Sequence, residues 1–238
     1  MSFGTVIFDN WDLFWGGFLT TVWVSLCAAC LSLLIGSVVA AVRVTPSGGL
    51  KVAAIAYTEF FRNTPFLVQA LTLYFGLPKL GIRLQFNLFG LDLEQPFVVG
   101  TLALALYTGA YVAEVIRSGL LSIPVGQTEA ARSLGLSLVQ TLYLVTLPQA
   151  IRLVIPPLGN LLIALIKNSA ILASISLGEL MFQASLVNNR TFRTFEVFTA
   201  VILFYLLLTL PLGWLLARLE TKLNPLLASK LRLKGASL

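Results

Sequence analysis

The chain has 238 residues, with 16 Lys and Arg, 10 Asp and Glu, no histidine and a formal net charge of +6. It is 58% hydrophobic and 11% charged, less than half the roughly 25% charged share of a soluble domain, which excludes a soluble class. The missing imidazole argues against histidine-dependent triads and zinc enzymes. The basic residues lie scattered or beside apolar runs, an arrangement that fits membrane orientation and not nucleic acid.

Several apolar runs approach or exceed the roughly 20 residues needed to cross a bilayer core. Runs of this length exclude a β-barrel, whose strands alternate over about 10 residues. The expected fold class is an all-α membrane protein with about five transmembrane helices. The first dozen residues carry Asp9 and Asp12 and no Lys or Arg. A cleaved signal peptide would need a basic start, so the first span is expected to remain as an anchor.

In chain order, the first span is expected near Phe14–Val42, ending at the polar turn Arg43 to Gly49. Within it, Cys27 and Cys30 sit one turn apart. A CxxC pair can bind metal or cycle redox, but within an apolar helix and without histidine, buried thiols are expected. Ser32, Gly36 and Ala40 form a stripe of small residues that lets a helix approach closely, within the chain or from another. The second span is expected near Leu50–Leu77, followed by a mixed, amphipathic loop at Pro78–Pro96. The third runs near Phe97–Ile116, the fourth near Ala150–Ile175 and the fifth near Glu196–Leu219. A polar stretch at Ser176–Phe195 should hold a short helix. Residues 1–223 thus form a single transmembrane domain, with a loop at about 124–148, and 224–238 form a basic tail.

Loop charge gives an orientation. Arg43, Lys51, Arg117, Arg132, Arg152, Arg218, Lys222, Lys230, Arg232 and Lys234 fall on one side. Lys79, Arg83, Arg190 and Arg193 fall on the other, offset by Asp9, Asp12, Asp92 and Glu94. The positive-inside rule places the first set in the cytoplasm, with the N-terminus outside and the C-terminus inside.

Four ionisable residues sit in or near the ends of spans: Glu59, Arg62, Glu114 and Lys167. A charge in hydrocarbon costs about 2.5–3.5 kcal/mol even on the lenient insertion scale, so each must pair or face a cavity. Glu59 and Arg62 share a helical face and can pair with each other. Arg62-Asn63-Thr64-Pro65 places polar groups before a proline inside a span, and Lys167-Asn168-Ser169 comes after the helix-weakening Pro156-Pro157. Interrupted helices with polar groups at depth are how membrane proteins build solute sites. For a zwitterionic amino acid, Arg62, Thr64 and Ser169 can supply donors to the carboxylate. Glu59 and Asn168 can accept from the ammonium. Tyr107 and Tyr111, one turn apart, either line the same cavity or pack. Glu179 is expected near the outer surface, as a local cap or a contact for an external protein.

The segment Glu129–Pro148 reads as a helix-turn-helix. Gly135 accepts the left-handed backbone of a helix C-terminus. Ser137 and Gln140 have capping-box spacing. Pro148 should stop or kink the helix at its position. Ala130, Ala131 and Leu134 fall on one side, a small and shallow face suited to docking. No GxxxxGK[ST] sequence occurs, so any ATP chemistry must come from a partner. No internal repeat relates two halves of the chain.

This segment resembles the EAA loop of permease subunits of binding-protein-dependent ABC importers, a pattern of EAA, three residues, Gly, nine residues, Ile, one residue, Leu-Pro. Glu129, Ala130, Ala131, Gly135, Leu147 and Pro148 fit it, and Val145 stands where Ile is usual. Three further segments are similar to the polar amino acid branch: Glu59 to Gln69, Tyr111 to Gly119, and Leu147-Pro-Gln-Ala150 with Pro156 to Asn160. The resemblance implies a type I importer in the bacterial inner membrane. Its parts are two permease subunits, identical or homologous, two cytoplasmic ABC ATPases that bind ATP and Mg, and an external binding protein. This chain would hold no cofactor and perform no catalysis. Gly126, Glu129, Ala130, Ala131, Arg132 and Gly135 would form the coupling helix that seats on the ATPase. Glu59, Arg62, Asn63, Thr64, Glu114, Asn168 and Ser169 would meet the amino acid. Asn63 and Asn168 stand where members specific for basic amino acids often have Gly and Asp, which points to acidic or neutral polar substrates. A secondary transporter or channel driven by an ion gradient, or a membrane scaffold without a path, are the alternative readings.

Overall fold

The computed structural model describes residues 3–45, 48–88 and 91–223. Pro46 and Ser47 of the first turn, the side chain of Asp92, and the tail 224–238 with Lys230, Arg232 and Lys234 lie outside the described residues.

A short helix α1 (Phe3–Asp9) leads into α2 (Trp11–Val44), 34 residues long. The expected second span is split into α3 (Gly48–Asn63) and α4 (Phe66–Lys79). The sequence explains the break. Pro65 has no amide hydrogen, and its ring biases Thr64 away from helical backbone. The carbonyls freed there are met locally. The Thr64 hydroxyl donates to the Phe60 carbonyl at 2.7 Å, and the Gln69 amide donates to the carbonyls of Phe61 and Thr64 at 3.0 and 3.1 Å.

The loop expected at Pro78–Pro96 contains a β-hairpin, β1 (Phe86–Leu88) paired antiparallel with β2 (Leu91–Leu93). Its residues alternate apolar and polar, the period of a strand. Helix α5 (Gln95–Leu121) comes next, then α6 (Val125–Ser133), α7 (Leu138–Thr141), a π-helical turn Leu142–Thr146, and α8 (Leu147–Asn168). A 3-10 segment Ser169–Ile175, α9 (Leu180–Thr191) and α10 (Thr194–Leu223) complete the described chain.

Among the described residues, four helical stretches are long and apolar enough to cross a membrane, Leu138–Ile175 being one continuous stretch. The broken α3–α4 pair accounts for the fifth expected span, since neither half is long enough alone. The fourth span therefore begins well before Ala150. Pro148 opens α8 instead of stopping it, because a proline in the first turn loses no helical hydrogen bond. Upstream, the chain widens into the π turn, the kind of single-turn insertion that relieves a ladder under strain. Pro156 and Pro157 lie inside α8 without ending it.

Helices α2 and α5 form the most extensive pairing. Ser32, Gly36 and Ala40 are buried along it, and a Cβ at Gly36 would collide with Val112. The small stripe thus serves packing within the chain, where close backbone approach replaces the hydrophobic driving force that lipid cannot supply. A second cluster joins α1, α2, α9 and α10 through Val6, Phe14, Leu180, Val197 and Phe204, with the rings of Phe14 and Phe204 stacked at 5.9 Å. Cys27 and Cys30 are free thiols on α2, Cys30 on its exposed side.

Candidate functional site

Helix α5 carries Tyr107, Tyr111, Glu114 and Arg117 at spacings of four, three and three, one face of a helix. The hydroxyls of Tyr107 and Tyr111 lie 3.3 Å apart. Beside them a cavity of about 150 Å³ is lined by Tyr107, Thr108, Tyr111, Leu161, Ala164, Leu165 and Asn168. On the other side of Tyr111 stands Arg62, at the end of α3. The Tyr111 hydroxyl donates to the Arg62 carbonyl at 3.4 Å, and the guanidinium lies 5.7 Å from the ring centroid. Tyr111 therefore joins two motifs that are more than 100 residues apart in sequence.

One turn further along α5, Glu114 binds three arginines. Arg43 of α2 reaches it at 2.7 Å, Arg117 of α5 grips it through two guanidinium nitrogens, and Arg62 approaches at 3.6 Å. One carboxylate thus ties α2, α3 and α5 together. Removing a partner from such a cluster strands charge that the fold has taken from water. Arg62 is the most loosely held of the three, so its remaining donors stay available. A larger cavity, about 610 Å³, runs from Glu114 past Ser118 and Ser122 to Leu153 and Pro157.

Other expected residues are placed differently. Glu59 does not pair with Arg62, which is drawn to Glu114. Glu59 instead accepts from the Asn63 amide at 2.9 Å, and both lie on the exposed side of α3. The Thr64 hydroxyl is committed to the helix break, donating to Phe60 and accepting from Gln69 at 2.6 Å. Ser169 is fully buried and donates to the Ile166 carbonyl at 2.7 Å, so it faces no cavity. Lys167 is exposed. Gln69, which organises the break, had only its place in the EhFRGTPhLhQ segment to mark it. A polar amide five residues beyond Thr64 in an apolar run was the available signal.

Glu179 lies outside the spans and is fully buried, which removes it as a contact for an external protein. It caps α9, accepting from the amides of Met181 and Phe182 and from the Tyr205 hydroxyl at 3.2 Å. Burial pushes its carboxyl up to about 7, against the pull of these hydrogen bonds.

The cytoplasmic pair α6–α7 is built from local signals. Pro124 precedes α6, and Leu134 ends it. Gly135 takes φ +87, with its amide on the Arg132 carbonyl and the Leu136 amide on the Ala131 carbonyl. That is a Schellman close. Ser137 and Gln140 then form a reciprocal capping box. Ala131 is buried, while Gly126, Glu129, Ala130, Arg132 and Gly135 are exposed. The docking face is therefore not uniformly shallow. Ala131 packs inward, and Leu134 projects with 85% of its surface exposed.

A family model described as the binding-protein-dependent transport system inner membrane component matches residues 13–225. The probable glutamine ABC transporter permease protein GlnM of Bacillus subtilis is 42% identical over 92% of this chain and 97% of its own length. The glutamate/aspartate import permease protein GltJ of Escherichia coli is 34% identical over 93% and 91%. Among solved structures, the crystal structure of an amino acid ABC transporter with histidines is 33% identical with a TM-score of 0.83, covering 93% of this chain and 99% of that one.

Proposed function

The chain belongs to the family of binding-protein-dependent transport system inner membrane components, and from that premise we propose that it is the membrane-spanning subunit of an ATP-driven importer of polar amino acids. The observation that carries this reading is the cavity beside Tyr107, Tyr111 and Asn168, with Arg62 across the Tyr111 ring. Such a site offers a guanidinium for a carboxylate and an amide and hydroxyls for a polar side chain. Relatives named for glutamine and for glutamate/aspartate support acidic or neutral polar substrates. The net positive charge around Glu114 favours a second substrate carboxylate on the same electrostatic grounds.

In this reading the chain works with a second permease subunit, an external binding protein and cytoplasmic ATPases that hold the ATP and Mg. It sits in the inner membrane with its N-terminus outside and its C-terminus inside, so that α6 faces the ATPase. The exposed, capped α6 transmits ATPase closure to α5 and α8, which flank it in sequence. An ion-driven carrier has no use for such a helix. Uptake competition with glutamate, glutamine and arginine in the reconstituted transporter tests the substrate class. Competition by glutamate or glutamine is expected, and competition by arginine alone would overturn it.

A further inference from the structure

Helix α10 carries one stripe that nothing else in the chain covers. Leu203, Leu207, Leu210, Trp214, Arg218 and Lys222 recur at steps of four, three, four, four and four, so they share a helical face. All six are exposed. The opposite face is the packed one: Leu216 lies over Gly159 and Gly213 lies against Ile163, both on α8. Helical geometry turns Glu220, the acidic residue of this end, toward that α8 side, away from the stripe.

The order along the stripe matches the parts of a phospholipid. Leu203 to Leu210 give an apolar track, and Trp214 stands about 16 Å from Leu203 at 1.5 Å per residue. Trp214 marks the depth at which amphipathic rings settle between hydrocarbon and headgroup. The Arg218 guanidinium lies flat on the Trp214 ring, 3.4 Å from its centroid, which fixes the cation while leaving its N–H groups outward. Lys222 stands one turn beyond. Among the described residues, no carboxylate lies within 4.0 Å of either cation. The chain continues with Lys230, Arg232 and Lys234 and no acidic residue after Glu220.

We propose that the Leu203–Lys222 stripe of α10 binds an anionic phospholipid, its phosphate held between Arg218 and Lys222 and an acyl chain along Leu203, Leu207 and Leu210. The proposal needs only that the chain is embedded in a membrane, so its failure would leave the transport reading intact. The anionic leaflet attracts each basic side chain by an amount equal to about fivefold in affinity.

The complete transporter, purified in mild detergent and mixed with equal amounts of phosphatidylglycerol and phosphatidylcholine, is read by native mass spectrometry. Phosphatidylglycerol should be retained at least about fivefold over phosphatidylcholine. The double variant R218Q/K222Q should lose that excess while the assembly stays intact. Soluble glycerol phosphate in excess should not displace the lipid. Equal retention of the two lipids, or an unchanged preference in the double variant, would overturn the proposal. So would displacement by glycerol phosphate, which would assign a site for free phosphate. If the double variant loses the ATPase or the second permease while its lipid preference persists, the stripe is a protein contact and the proposal fails.

Discussion

The cytoplasmic pair α6–α7 and the path around Tyr111 are built on opposite plans. The first is closed by contacts within about a dozen residues: the Schellman turn at Gly135 and the capping box at Ser137. The second draws Arg62 from α3, Tyr107, Tyr111 and Glu114 from α5, Asn168 from α8 and Arg43 from α2. A lever must keep its shape while its surroundings move, so local closure suits α6. A solute path must change shape when helices shift, so a site shared between helices suits it.

Substitutions at the two regions should therefore fail in different ways. The largest effect is expected at Glu114. Glu114→Ala leaves Arg43, Arg62 and Arg117 without their shared anion, and should cost about 3 kcal/mol or more, read as thermal unfolding of the purified chain. Adding Arg43→Gln should restore part of that loss, and no restoration would show that the cluster does not act as a unit.

Next comes the pair of neighbours Ala131 and Ala130. Ala131→Glu buries a charge and should destabilise by roughly 2–4 kcal/mol. Ala130→Glu is exposed and should leave unfolding within about 0.5 kcal/mol. It should still reduce solute moved per ATP hydrolysed by about tenfold, equivalent to 1.4 kcal/mol at the docking face. Equal melting of the two variants would dissolve the distinction between inward and outward faces of α6.

Gln69→Leu removes the donor to Phe61, Thr64 and the Thr64 hydroxyl. About 1–3 kcal/mol of stability should go with it, seen as faster hydrogen exchange confined to α3 and α4. Uniform exchange across the chain would mean that the break is not held locally.

The smallest effect concerns Glu179. Burial raises its carboxyl to about 7, so the folded chain favours the protonated form. Stability from this group is full below the usual carboxylate value of 4.5 and is lost as pH rises through about 7. Glu179→Gln should flatten unfolding across that window, and an unchanged pH profile would remove Glu179 as its source.

The difference between the regions also decides what could be read from the sequence. The α6–α7 turn was legible in detail because Gly135, Ser137 and Gln140 act on their own backbone. The break at Thr64–Pro65 was legible because proline acts on its own neighbours. The ion cluster was not. Glu59 and Arg62 have the spacing of a pair, yet Arg62 turns to Glu114 on another helix, a choice that only tertiary packing makes. Ser169 read as a donor to solute, but the tightened 3-10 turn buries it on Ile166. The small stripe at Ser32, Gly36 and Ala40 marked a close approach without saying to what, and α5 supplied the answer.

The most direct measurement compares Arg62→Gln and Ala130→Glu in the same reconstituted transporter, recording amino acid uptake and ATP hydrolysis together. Arg62→Gln should raise the substrate concentration for half-maximal uptake by about tenfold, the 1.4 kcal/mol of a weakened carboxylate contact, while uptake per ATP is kept. Ala130→Glu should leave that concentration unchanged and lower uptake per ATP. The same signature in both variants would contradict a chain whose drive and solute path reside in separate regions.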